Sequence, residues 1–385
     1  MIDRFRPLSF IQPRRIAFGA GVAGQCAEDL AGRGRKSAFV VTSPPIEPLC
    51  KSVRDALAPH VDKVTVWAGI ANEPSTTDLH AAIAAARDAR ADAIFGVGGG
   101  SALDVAKLVA AFIDSPQELR DAFGINKLAG RNTYLACIPT TAGTGSEVSP
   151  NAILLDESEQ LKKGVISPHL VPDAALVDPT LTLTVPRAVT AATGIDALTH
   201  CIEAYANRLA HPMIDPVAME GVRLIGRSIR RACDEGSDIE ARTDVALGSL
   251  FGGMCLGPVN TGAVHALSYP LGGEFHVPHG VANAVLLTHV LRFNLPAAPG
   301  RYAAIARALG VQIDGDDATV ASAGLARLES LSQACGIPRR LRDLGIPESA
   351  IERLARSAMT VTRLLDRNVR TVTFDDAVEI YRKAM

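Results

Sequence analysis

Between residues 36 and 141 the chain alternates short apolar runs with amphipathic stretches. KSAFVVT (36–42), KVTVWAG (63–69), ADAIFGVGGG (91–100) and TYLACIPTT (133–141) each predict a buried strand. Between them, LCKSVRDALAPH, TTDLHAAIAAARDARA (76–91) and SALDVAKLVAAFI (101–113) carry helical spacing. In the second of these, acid comes early and Arg late, which suits the helix dipole. Strands alternating with helices predict a parallel sheet covered on both faces. From about Pro186 the pattern changes. AVTAATGIDALTHCIEAYANRLA, DPVAMEGVRLIGRSIRRACDE, ARTDVALGSLFGGMCL and the segments after Tyr302 are helical, with few β-branched runs. The boundary is placed near VDPTLTLTVP (177–186), where Pro and Thr rise. The expected fold is an α/β dinucleotide-binding domain over 1–185 followed by an all-α domain over 186–385.

The chain's 385 residues fit two domains. A hydrophobic fraction of 48% and a charged fraction of 21% are ordinary for a globular protein. A net charge of -2 offers nucleic acid or an anionic membrane no electrostatic handle. No apolar run reaches the length of a membrane span. MIDRFRPLSFIQPRR lacks the apolar core of a signal peptide. Seven scattered cysteines, odd in number and without CxxC, suit reduced thiols in the cytoplasm and argue against structural zinc on sulfur.

Two glycine-rich loops follow predicted strands. GVGGGSALDVAK (96–107) opens a helix, whose free N–H groups suit a pyrophosphate. It is neither GxGxxG nor a Walker loop, and a tight turn with glycines for packing is the alternative. PTTAGTGSE (139–147) supplies hydroxyls at Thr140, Thr141 and Thr144 and backbone access at Gly143 and Gly145. Two such loops at strand C-terminal ends converge where open α/β sheets bind ligands. Lys162 and Lys163 follow an expected surface turn, DESEQ, and either could reach a phosphate or be solvated.

In GIDALTHCIE (194–203), Asp196 and His200 share one helix face. Alone, the pair reads equally as a core hydrogen bond or as two metal ligands. VHALSYPLGGEFHVPHG (264–280) adds His265, His276 and His279. His265 can end or open a helix, His279 falls in a Pro-His-Gly turn, and Glu274 and Phe275 place His276 in a loop. Asp with two or three His is a ligand set for Zn²⁺ or Fe²⁺. His60, His80, His169, His211 and His289 read as surface or packing residues. Asn151, Phe251, Leu256 and Asn260 are neutral or apolar pocket candidates, suited to a small uncharged substrate.

GGGSALDVAK, IPTTAGTGSEVS, VDPTLT, ATGIDALTHCIEAY and HALSYPLGGEFHVPHGVAN together resemble the iron-containing, group III alcohol dehydrogenase family. FGAG (18–21) and CGIPRRLRDLGI (335–346) extend the likeness along nearly the whole chain. The resemblance implies a dehydroquinate synthase-like architecture and a catalytic metal in the cleft between the domains. It implies metal ligands at Asp196, His200, His265 and His279, with Fe²⁺ first and Zn²⁺ second. Cofactor contacts are implied at Gly98, Gly99, Gly100, Ser101, Asp104, Thr140, Thr141, Thr144, Ser149, Lys162 and Ser43, with Asp104 either near the phosphates or fixing the loop. The implied reaction is hydride transfer between a small alcohol or aldehyde and NAD. A homodimer, a cytoplasmic location, and no nucleic-acid or membrane partner complete the expectation.

Three positions depart from the family pattern. Thr42-Ser43 replaces an Asp after the first cofactor-domain strand, which leaves NADP open. Tyr269 stands where a histidine follows the third ligand by four residues, so Tyr269 and His276 are the candidates for passing the alcohol proton. Asn368-Val369-Arg370 replaces Asn-Pro-Arg. The rivals are a glycerol dehydrogenase-like or maleylacetate reductase-like enzyme on the same fold, and a nucleotide-binding protein without catalysis. The full ligand set argues against all three.

Overall fold

The computed structural model describes residues 5–30, 34–71, 73–159 and 161–385. Met1 to Arg4, at the start of the segment tested for a signal peptide, and Gln160 of the expected DESEQ turn lie outside them. Contacts divide the chain into two units. One comprises Phe10–Thr141 and Gly145–Thr184. The other is Val185–Met385 together with Ala142–Thr144 and the residues up to Ser9.

The first unit holds strands β1 (Arg15–Phe18), β2 (Ser37–Val41), β3 (Lys63–Trp67), β4 (Ala93–Gly98), β5 (Gly124–Ile125), β6 (Tyr134–Pro139), β7 (Asn151–Asp156), β8 (Leu161–Ile166) and β9 (Ala174–Val177). Its helices are α1 (Cys50–Leu57), α2 (Thr76–Asp88), α3 (Gly100–Phe112) and α4 (Leu119–Ala122). The four strands expected from the apolar runs form, and every residue of β2, β4 and β6 is buried. Both faces of these strands are covered, which is why they read as continuous apolar runs rather than as alternation. The main sheet is parallel with order β1-β9-β6-β4-β2-β3. From β2 the chain steps out to β3 and then returns to the other side at β4. The topological switch point therefore lies between β2 and β4, at the edge that bears their C-terminal loops. Edge strand β1 and strand β9 were not predicted; at four residues each they carry little periodicity. The antiparallel pair β7–β8 was also missed, although the turn between its strands was expected. On α2, Ser75 and Asp78 form a reciprocal capping box, so the early acid does more than face the dipole.

The second unit is helical: α5 (Arg187–Tyr205), α6 (Asp215–Asp234), α7 (Ile239–Leu256), α8 (Ala263–Phe275), α9 (His279–Asn294), α10 (Pro299–Ala308), α11 (Asp317–Ala334), α12 (Ile351–Ala358), α13 (Thr362–Leu365) and α14 (Phe374–Ala384). Pro186 caps α5, as its position predicted. From Thr190 to Ala204 this helix is buried nearly all round, enclosed by α6, α7 and α9. Close approach is possible because glycines face it. A Cβ on Gly280 would lie 2.5 Å from the Ala192 carbonyl oxygen, and one on Gly252 would lie 3.1 Å from His200 Cβ. Two local expectations are corrected. Glu274 and Phe275 form the last turn of α8 rather than a loop. His279 is the first residue of α9, with Pro278 as its N-cap, rather than part of a free turn. No helix among the described residues is long and apolar enough to cross a membrane.

Candidate metal centre and cofactor loops

Asp196, His200 and a third residue, Glu203, follow i, i+4, i+7 spacing on α5 and are all buried. His265 enters from the first turn of α8, and His279 from the start of α9. Asp196 Oδ1 lies 3.5 Å from His265 Nε2, 3.9 Å from His279 Nε2 and 3.9 Å from His200 Nε2. One donor atom each from Asp196, His265 and His279 falls within 4.8 Å of the others. Metal–ligand bonds of about 2.0–2.2 Å would put tetrahedral donors roughly 3.3–3.5 Å apart, so the set fits a divalent ion with small adjustments. The His200 and His265 rings stack with centroids 4.8 Å apart.

Sequence reasoning missed two residues that orient these donors. Glu203 Oε2 accepts from His265 Nδ1 at 2.6 Å, and Oε1 accepts the Val264 N–H at 2.7 Å. This carboxylate holds the proton on Nδ1, so that a metal ion would take the place of the proton on His265 Nε2, which faces Asp196, the carboxylate–histidine arrangement that accompanies metal ligands. It also satisfies a free N–H at the start of α8, where Gly262 provides no side-chain cap. Asn368 accepts the neighbouring Ala263 N–H at 3.4 Å and exchanges bonds with Asn294 at 2.7 and 2.8 Å. The altered Asn-Val-Arg motif therefore keeps an Asn that anchors the ligand-bearing helix. The second missed residue is Asn283, fully buried on α9. Its amide nitrogen donates to Asp196 Oδ1 at 2.6 Å and lies 3.1 Å from both His265 Nε2 and His279 Nε2. The available signal was helical spacing: Glu203 one further turn along from His200, and Asn283 one turn from His279.

Burial alone would raise the Asp196 carboxyl. The charges of His200, His279 and His265 outweigh it and hold Asp196 well below the usual carboxylate range. For His265, burial pulls downward, but hydrogen bonds to Asp196 and Glu203 dominate and push it up to about 10. For Glu203→Gln, which keeps an acceptor but removes the charge, affinity for Zn²⁺ is expected to fall about 10–100-fold. Competition with a chromophoric chelator measures this, and an unchanged affinity would remove Glu203 from the centre.

Tyr269 is half-buried, its ring centroid 5.9 Å from that of His279, and its hydroxyl accepts from Arg363 at 3.1 Å. His276 is exposed. It ends α8 in the left-handed conformation with φ 55°, its N–H bonded to Gly272 at 3.1 Å. Of the pocket candidates, Asn260 also takes a left-handed turn conformation and folds its side chain onto the Thr261 N–H at 2.8 Å.

In the first unit, the glycines of GVGGG divide their roles. A Cβ on Gly96 would meet Ala106 Cβ at 2.9 Å, and one on Gly98 would meet Ala102 Cβ at 2.8 Å, so both let α3 pack on β4. Gly98 also has φ +152°. Gly99 is the N-cap of α3 and supplies no side-chain cap, which leaves the N–H groups at Gly100 and Ser101 for an anion. Beside it, the Thr140 N–H bonds Gly98 O at 3.0 Å, and the buried Thr140 Oγ1 has no hydrogen-bond partner among the described residues. A notional Gly99 Cβ lies 3.4 Å from Thr141 Oγ1, which places the two strand ends side by side. Gly143 serves packing: its Cβ would sit 2.6 Å from Thr193 Cβ on α5.

Asp104 faces inward and fixes the loop, accepting from the Ser146 hydroxyl and, at 2.9 Å, from the Ile153 N–H. Ser149 is held by Lys107, which was not singled out in the sequence. Its fully buried Nζ donates to Ser149 O at 2.9 Å and Asn151 O at 2.8 Å. Burial pushes Lys107 down and Asp104 up. Thr144 carries further interactions of its own. Lys162 pairs with Glu73, and Lys163 with Asp156 at 2.8 Å and Glu159 at 2.7 Å. Ser43 is half-buried just beyond β2, at the switch point, its carbonyl accepting from Ile46 at 2.9 Å and Glu47 at 3.1 Å.

The model of the iron-containing alcohol dehydrogenase family matches residues 13–179, and that of the family's C-terminal part matches 190–385. The chain belongs to the iron-containing alcohol dehydrogenase family. It is accordingly an alcohol oxidoreductase. It is 39% identical to long-chain-alcohol dehydrogenase 1 of Geobacillus thermodenitrificans (strain NG80-2), over 99% of this chain and 95% of that one. A crystal structure of 1,3-propanediol oxidoreductase matches with a TM-score of 0.96 at 34% identity, covering 99% of this chain and 100% of the other. Sulfoacetaldehyde reductase from Bifidobacterium kashiwanohense, solved in complex with NAD+, matches with a TM-score of 0.89 at 28% identity, covering 98% and 99%.

Proposed function

We propose that this dehydrogenase interconverts a small, uncharged alcohol and its aldehyde or ketone, with NAD(H) as hydride carrier and a divalent cation held by Asp196, His200, His265 and His279. The carrying observation is the convergence of Asp196, His265 and His279, one donor atom each within 4.8 Å, with Glu203 holding His265 Nδ1 so that Nε2 faces Asp196; His200 Nε2 stands 3.9 Å from Asp196 Oδ1, outside that group. A bound cation supplies Lewis-acid polarisation of the alcohol or carbonyl oxygen. The family description favours iron, and the nitrogen and oxygen donors accept zinc as well. Asn283 and Glu203 orient the donors. The open N-terminus of α3 and the Thr140 hydroxyl bind the cofactor's pyrophosphate, with Lys107 and Asp104 holding the second loop in shape. Tyr269, beside His279 and bonded to Arg363, passes the alcohol proton outward, with His276 as the exposed alternative. Buried, unpaired thiols suit a cytoplasmic enzyme.

Chelator treatment should abolish alcohol-dependent NAD reduction, and Fe²⁺ or Zn²⁺ should restore it. Nicotinamide absorbance across a panel of alcohols and aldehydes reads the result. Turnover by verifiably metal-free protein would overturn the metal centre and favour the maleylacetate reductase-like reading. The cofactor choice has its own test. Ser43→Asp places a carboxylate at the end of β2, where it would repel a 2′-phosphate. The ratio of NADP to NAD use is expected to fall tenfold or more, about 1.4 kcal/mol. An unchanged kcat/KM ratio would place residue 43 away from the ribose.

A further inference from the structure

Within the helical unit, α9, α11 and the segment after α11 surround a cavity of about 200 Å³. Ala284 and Val285 of α9 and Ile337 and Pro338 beyond α11 give it an apolar wall. Its polar groups include His289 on α9 and Ser332 in the last turn of α11. His289 Nδ1 and Ser332 Oγ are both buried with no hydrogen-bond partner among the described residues. Ser332 as a whole is only 8% exposed. Buried polar atoms ordinarily find partners, so two orphans lining one cavity mark a place for a group from outside the chain.

The charges around the cavity favour an anion. Glu329 in its wall is neutralised by Arg292 at 2.5 Å, and Lys383, which also faces His289, pairs with Glu379 at 3.3 Å. Arg339, the exposed cation of the lining, donates to the neutral side-chain carbonyl of Gln333. No carboxylate pairs with Arg339 among the described residues, so its charge is uncompensated. Burial, with Arg292 and Lys383 against Glu329, lowers the His289 ring from its ordinary value. The ring is then neutral and can donate from one nitrogen.

We propose that this cavity binds a small monocarboxylate of about three to five carbons, a size set by the space, since about 150 Å³ suffices for a six-carbon ring. The carboxylate oxygens accept from the Arg339 guanidinium, the Ser332 hydroxyl and the His289 ring, and the short hydrocarbon body covers the apolar wall. Water alone would satisfy the two orphan atoms but would leave the guanidinium charge and the apolar wall unanswered. Phosphate would answer the charge and leave the wall bare. None of these lining residues belongs to the group of Asp196, His265 and His279. The cavity nevertheless bears on the same helix that begins at His279 and carries Asn283.

Butyrate is the probe, titrated calorimetrically into full-length protein beside inorganic phosphate. Saturable binding of one butyrate per chain is expected, about tenfold or more tighter than phosphate. Arg339→Gln, at an exposed position, is expected to weaken it about tenfold, the loss of one charged hydrogen bond, and Ser332→Ala about fivefold. Without ligand, Ser332→Ala should melt at or above the wild-type temperature, because it deletes a hydroxyl that has no partner. A lower melting temperature would mean that the hydroxyl is already bonded, and would count against the site. The absence of saturable butyrate binding overturns the proposal. Phosphate binding as tight as that of butyrate overturns the carboxylate assignment. Butyrate affinity unchanged in both variants places the ligand elsewhere and overturns the site. The readout involves neither turnover nor a metal, so its outcome is separate from that of the metal centre.

Discussion

His265→Ala is expected to lower alcohol oxidation about a thousandfold or more while leaving NAD affinity within a few-fold. His265 Nε2 is the imidazole donor nearest Asp196, at 3.5 Å. Its loss removes one of the three grouped donors, Asp196, His265 and His279, and leaves the Glu203 carboxylate buried without its ring partner. Metal polarisation is worth several kcal/mol of barrier, and each 1.36 kcal/mol is about tenfold in rate, which sets the scale. Steady-state kinetics with matched metal analysis checks the result, and far-UV circular dichroism checks that the variant is folded. Wild-type turnover would remove His265 from the centre. Intact cofactor binding is the informative half of the outcome, because Gly99, Gly100, Ser101 and Thr140, proposed to hold the pyrophosphate, belong to the other unit.

The second large effect is on stability. Lys107→Met is expected to destabilise the first unit by about 3–5 kcal/mol, the usual consequence of breaking a buried charged network on one side. Lys107 is fully buried and holds the carbonyls of Ser149 and Asn151. Without it, both lose a donor, and the buried Asp104 and Glu147 carboxyls lose the nearby cation. Burial already pushes Glu147 up to about 7, so its charge is weakly supported even in the intact loop. Scanning calorimetry should show the melting temperature falling on the order of 10 °C. NAD affinity should weaken as well, because the loop from Gly145 to Ser149 loses its tether. An unchanged melting temperature would mean that Asp104, Ser146 and Ile153 hold the loop unaided.

Local pattern made the frame of both units legible. Period and composition identified β2, β3, β4 and β6 and the helices between them, because fully buried strands and capped helices leave their mark within a dozen residues. The same held for α5, from Pro186 at its start to the shared face of Asp196 and His200. The glycine loops were visible as loops. Which glycine packs and which leaves backbone open was not, since that depends on how closely Ala102, Ala106, Thr141 and Thr193 approach. Pro-His-Gly read as a turn because Pro and Gly both favour turns. Here Pro278 caps α9, and Gly280 is small so that this helix can lie against the Ala192 carbonyl.

Glu203 stood inside the ten residues that first suggested a metal. A glutamate on a helix ordinarily faces water, and only the arrival of α8 turns this one into the partner of His265. Asn283 and Lys107 were hidden for the same reason. The sequence by itself determined β2, β3, β4 and β6, the helices between them and the helical character of the chain beyond Pro186, and it placed Asp196 and His200 on one helix face. The tertiary structure alone decided which polar groups are buried together. Burial and pairing are properties of segments distant in the chain, and no local period records them.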